Sequence, residues 1–210
     1  MTWIKICGLR RDEDVAAAVE AGADALGFNF WTGTKRYIDP AEAALIIRDV
    51  PKHVLTVGVF VDASPADMLK VAEATGIRGI QLHGEEPPEA LEALRGYRTI
   101  KAIKVAERLD PGQFQAYRKA DIILLDRAVS GLVGGTGQKF DWALAAEAKK
   151  YATILLAGGL NPGNVAEAIR QAQPWGVDVA SGVETAPGVK DGAMIREFIR
   201  NARSVSEPRQ

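Results

Sequence analysis

Residues 122–126 read IILLD, and this stretch sets the fold class. Four apolar residues in a row look like a strand buried on both faces, as the strands of parallel sheets are. A carboxylate closes the run. Residues 154–159, ILLAGG, repeat the pattern with a glycine pair at the end. Other short apolar runs lie at 4–7, 25–30, 55–61, 79–82, 99–105 and 177–180. Together with 122–126 and 153–157 they end at 7, 30, 61, 82, 105, 126, 157 and 180, spaced by 21–31 residues. That spacing is the length of one βα unit, repeated eight times.

The segments between the runs are punctuated as helices. Asp39-Pro40, Ser64-Pro65, Asp110-Pro111 and Asn161-Pro162 each set a capping side chain before a proline. The cap accepts a bond from an orphan N–H, and proline at the first helical position loses nothing. Gly22, Gly76 and Gly96 stand where helices should stop. Within 12–22, Val15, Ala18, Val19 and Gly22 share one face, as a helix packed on a sheet requires. The prediction is α/β: a single-domain (β/α)8 barrel over residues 1–203, with 204–210 as a frayed tail. An open doubly wound sheet is the rival, but its Gly-rich first turn is missing, for Cys7-Gly8-Leu9-Arg10 stands there.

Composition narrows the function classes. The chain has 210 residues, 47% apolar and 25% charged, with a formal net charge of −1. A core of that size needs no metal or disulfide, and the charge balance argues against nucleic acid as partner. A lone cysteine, Cys7, excludes an internal disulfide and fits a reducing compartment. MTWIKICGL lacks the marks of a signal peptide, and no stretch approaches a membrane span. The expectation is a cytoplasmic protein, monomer or homodimer, whose partner is a small molecule.

In such a barrel, chemistry sits where the strands end. Cys7 ends the first run and Gly8 follows. A lone cysteine is on general grounds a small buried hydrophobe, but at a strand end its thiol can face the mouth. It is a base only if nearby cations or helix N-termini favour its thiolate. Lys5 shares its face at a different depth, which by itself proves nothing. Asp126 ends the sixth run after four apolar residues, either as a cap or as an acid for a leaving oxygen. The first and sixth strands stand three positions apart on an eight-strand ring, so these two ends can face each other across the mouth.

Gly158 and Gly159 end the seventh run, and Ser181 and Gly182 follow the eighth. They are tight turns or, taken together, the phosphate site that such barrels carry there. GGTG at 134–137 is neither a P-loop nor a dinucleotide fingerprint, since Gln138 precedes Lys139 and Phe140 replaces the third glycine. It reads as a loop able to close over the mouth. Arg36 suits a carboxylate or phosphate, and is equally a solvated loop residue. His83 orients substrate or bonds the rim. His53 lies at the opposite face and reads as structural. No cluster has metal-ligand spacing, so no metal is expected.

KICGL at 5–9, QLHG at 81–84, GGTG with FDW across 134–142, AGGL at 157–160 and SGVE with PG-x-KD across 181–191 resemble the phosphoribosylanthranilate isomerase family of tryptophan biosynthesis. The resemblance runs from residue 4 to about 199, and KICGL, QLHG and SGVE in that order are specific to it. It implies Cys7 as general base, Asp126 as general acid, Arg36 on the anthranilate carboxylate, and AGGL with SGVE on the phosphate. Arg36, His83 and Asp178 are assigned to substrate binding. The implied reaction is a cofactor-free Amadori rearrangement of N-(5'-phosphoribosyl)anthranilate. Where the family often has Ser-Pro-Arg, this chain has Thr34-Lys35-Arg36, and Ala180 replaces a frequent serine. Two alternatives remain in view. One is the Amadori step of histidine biosynthesis, against which Cys7 in place of an aspartate argues, as does the single phosphate site. The other is an idle sugar-phosphate-binding barrel, against which Cys7 and Asp126 at strand ends argue.

Overall fold

The structure, a computed structural model, is described here for residues 1–105, 107–127 and 142–205. Strands β1 (Trp3–Cys7), β2 (Ala25–Asn29), β3 (Leu55–Phe60), β4 (Gly79–Leu82), β5 (Arg98–Val105), β6 (Ile122–Arg127), β7 (Ile154–Leu156) and β8 (Gly176–Val179) form a closed parallel barrel in chain order. Closure is made by β8 on β1, with Lys5 opposite Asp178 and Ile6 opposite Val179. The expected barrel is therefore the observed one, and the open sheet is excluded. Each strand matches its predicted run within one or two residues.

Helices α1 (Asp12–Glu20), α2 (Pro40–Ile47), α3 (Pro65–Thr75), α4 (Ala90–Ala93), α5 (Pro111–Ala116), α6 (Trp142–Ala148), α7 (Val165–Ala172) and α8 (Gly192–Ser204) alternate with the strands. Asp39, Ser64 and Asp110 cap as expected, accepting from Ala41, Asp67 and Gly112 N–H at 2.8, 3.1 and 2.9 Å. Asn161 does not cap α7. Its side chain accepts from Gly163 N–H at 2.8 Å and closes a turn, so the helix starts four residues later, at Val165. The helix α8 runs to Ser204, one residue past the boundary expected after 203. GGTG at 134–137 and residues 206–210 lie outside the described residues.

Period-two alternation divides the strands between two cores. Ile4, Ile6, Ile80, Leu82, Ile123, Leu125, Val177 and Val179 face the helices. Ala25, Val57, Ile100, Ala102, Ile122, Leu124 and Leu155 fill the barrel. The same parity carries chemistry inward. On β6, Asp126 follows Ile122 and Leu124 into the barrel. On β1, Lys5 and Cys7 point in, as Gln81 does on β4 and Asp178 on β8. Lys101 has the opposite parity and is buried outside the barrel, paired with Glu86 at 2.8 Å.

One element was not foreseen. Beyond β8 a 3-10 turn, Ser181–Val183, leads into a hairpin of β9 (Glu184–Ala186) and β10 (Val189–Lys190). Gly188, at φ +82°, makes its turn possible.

Candidate active site

The C-terminal ends of the strands surround a cleft of about 320 Å³, lined by Cys7, Arg36, His83, Asp126, Gly158, Gly159, Asp178 and Ser181. That volume suits one small molecule. Gly182, the remaining expected site residue, has a packing reason to be glycine. A Cβ there would fall 1.8 Å from the Leu160 carbonyl oxygen. The 181–183 turn thus presses on the loop after β7, where Gly158 and Gly159 take φ of +81° and +73°. Two tight backbone segments meet at one rim of the cleft.

Cys7 is almost fully enclosed, with 8% of its surface exposed. Burial pushes its thiol above the ordinary value, against the opposing pull of Lys5. Beneath it Lys5 is wholly buried and donates to Asp178 Oδ1 at 2.8 Å. Burial works against the ammonium, but Asp178 and then Cys7 outweigh it, and its pKa is pushed up to about 12. Gly27 passes beside both, where any Cβ would stand 2.7 Å from the Cys7 sulfur.

Across the mouth, Asp126 Oδ2 lies 3.6 Å from His83 Nε2. Gln81 Nε2 is 2.8 Å from His83 Nδ1. With the Gln81 amide as donor, Nδ1 accepts and the Nε2–H faces the carboxylate. Gln81 Oε1 is buried without a partner among the described residues, in the wall of the cleft.

Arg36 is not a loose loop residue. Its Nε and Nη2 donate to Glu184 Oε1 and Oε2 at 2.8 and 2.7 Å, a bidentate pair. Lys190 Nζ donates to the same carboxylate at 2.8 Å and to the Ala180 carbonyl at 2.9 Å. Burial favours the neutral acid at Glu184, yet the bonds from Arg36 and Lys190 hold it below the usual carboxylate range. Burial lowers Lys190 from its ordinary value. Lys5, Gln81, Gly27, Glu184 and Lys190 were assigned no role from the sequence. Lys5, Gln81, Glu184 and Lys190 lie inside the KICGL, QLHG, SGVE and PG-x-KD motifs, and that was the signal that could have found them. Among the described residues, no three His, Cys, Asp or Glu side chains are grouped to hold a metal ion.

The sequence pattern of the N-(5'phosphoribosyl)anthranilate (PRA) isomerase family matches residues 4–201. The chain belongs to this family. An N-(5'-phosphoribosyl)anthranilate isomerase of Geobacter sulfurreducens is 47% identical, over 97% of this chain and 99% of the relative. The crystal structure of the phosphoribosyl anthranilate isomerase from Thermotoga maritima superposes with a TM-score of 0.90 at 42% identity, covering 97% of this chain and all of that one. A second isomerase structure, in complex with reduced 1-(o-carboxyphenylamino)-1-deoxyribulose 5-phosphate, gives a TM-score of 0.87 at 41% identity over the same shares. The isomerase catalyses the rearrangement of N-(5'-phosphoribosyl)anthranilate in tryptophan biosynthesis. That excludes the histidine-pathway and idle-barrel alternatives as its primary role.

Proposed function

We propose that Cys7 is the general base and Asp126 the general acid of this rearrangement, carried out in the cytoplasm. The observation that carries the reading is geometric: inward parity sets both side chains at the C-terminal ends of β1 and β6, in the wall of one cleft. Asp126 gives its proton to the furanose ring oxygen as the C1′–O bond breaks. The lone pair of the anthranilate nitrogen forms the C1′=N bond and so supplies the push. Cys7, as thiolate, takes the proton from C2′, and the electrons of that C–H bond pass to the iminium. The resulting enolamine becomes the ketone when C1′ gains a proton and the C2′ hydroxyl loses one. The substrate nitrogen serves as electron sink, so no cofactor enters.

The remaining contacts follow from placement. Gly158, Gly159, Ser181 and Gly182 hold the phosphate at the rim where the two tight segments meet. Arg36 offers its free edge to the anthranilate carboxylate while Glu184 fixes its plane. His83 and Asp178 bind the sugar portion. His83 also stands 3.6 Å from the Asp126 carboxylate, close enough to turn its Nε2–H toward the charge left after proton transfer.

Cys7→Ala and Asp126→Asn test the pair. Each should lower kcat by about 10²–10⁴-fold, since well-placed acids and bases contribute that much. KM should change little. Loss of anthranilate fluorescence reads the turnover, and near-normal kcat in either variant removes that residue from its role.

A further inference from the structure

A lysine ammonium with no exposed surface lies one layer below the Cys7 thiol. Lys5 and Cys7 alternate inward on β1, and small residues opposite them on β2 make room: Ala25 beside Lys5 and Gly27 beside Cys7. A Cβ at Gly27 would meet both Lys5 Cε, at 3.2 Å, and Cys7 Sγ, at 2.7 Å. The Lys5 side chain therefore passes alongside the thiol. It lines no part of the cleft, whereas Cys7 and Asp178 both do. Burying an ion pair is costly, and packing alone is served as well by apolar residues. A cation kept at this depth needs another reason.

We propose that Lys5 is a positioning residue for the isomerase reaction, whose ammonium stabilises the Cys7 thiolate while Asp178 takes part of its charge. This rests on the reading of Cys7 as base. Lys5 stays protonated throughout, so the C2′ proton goes to sulfur and no further. The charged groups that face Cys7 are Lys5 from its own strand, Asp178 from β8, Lys190 from β10 and Arg36 from the loop after β2. Lys190 and Arg36 share the Glu184 carboxylate. Lys5 and Asp178 are thus the pair whose charges act on the thiol with opposite sign.

Cys7 is the sole cysteine, so the rate of alkylation by iodoacetamide as a function of pH reports its thiolate directly. Lys5→Met should move that profile up by about one to three pH units, the effect of losing one adjacent opposite charge. The acidic limb of kcat/KM should move with it, while KM stays within a few-fold. Asp178→Asn removes the opposing charge and should move the alkylation profile down. Its opposite sign keeps the proposal testable if Lys5→Met fails to fold. Profiles that stay in place in Asp178→Asn and in any folded Lys5→Met would overturn the proposal, even with activity lost. Alkylation profiles that shift while the kcat/KM limb stays fixed would support the Lys5–Cys7 coupling and overturn Cys7 as base.

Discussion

A methyl group at position 27 would reach to 2.7 Å from the Cys7 sulfur, closer than real Cβ atoms come. Gly27 is therefore a determinant of where the thiol sits, though it bears no chemistry. Gly27→Ala should displace the sulfur, and an offset near 1 Å at a reacting atom is enough to cost about 10²-fold. We expect kcat to fall by about 10- to 100-fold, with a stability loss of about 1–3 kcal/mol from overpacking. Steady-state kinetics and urea unfolding check both. Cys7 and Asp126 were legible as candidates because each closes an apolar run. Gly27 and Lys5 were not, because one is a small residue within a strand and the other shares the face of Cys7 at a different depth, which by itself assigns nothing. Their meaning depends on the strands beside β1, with Gly27 brought up by β2 and Asp178 by β8 through barrel closure.

Among the elements, the barrel strands could be read from sequence because their apolar runs, though short, recur at the length of one βα unit. The β9–β10 hairpin could not, since strands of three and two residues carry no periodic signal. Asn161 misled for a related reason: Asn-Pro starts a turn as readily as a helix. The pair of Arg36 with Glu184 joins residues 148 apart in the chain, beyond any local pattern. This carboxylate ties the hairpin to the loop after β2, with its side chain only 4% exposed. Glu184→Gln leaves Lys190 buried without its ion partner and should cost about 3–5 kcal/mol. The pH sign follows from a carboxyl held below its ordinary value. Its contribution is present above the unfolded value of about 4.3 and is lost as pH falls through the lower folded value. Urea midpoints measured from neutral pH downward should therefore lose that part of their acid dependence in Glu184→Gln. An unchanged midpoint at neutral pH would show that Arg36 is held by other means.

At the scale of the whole molecule, the barrel does one thing that no smaller unit does: it turns the ends of β1 and β6 toward a common cleft. The wall between them is made by β4, with Gln81 and His83, and by β8, with Asp178. Closure and strand count were legible from eight recurrent runs, and the tight turns after β7 and β8 from their glycines. Charge state was not, because burial and neighbouring ions fix it only after folding. The central claim is a division of labour, with Asp126 serving ring opening and Cys7 serving proton removal from C2′. Substrate deuterated at C2′ separates the two. Turnover of labelled and unlabelled substrate is compared in the unaltered isomerase, in Cys7→Ser and in Asp126→Asn. Weakening the base makes C–H cleavage slower, so Cys7→Ser should enlarge the isotope effect on kcat. Weakening the acid makes ring opening limiting, so Asp126→Asn should suppress it. An isotope effect that is equal in the two variants, or larger in Asp126→Asn, would contradict the assignment.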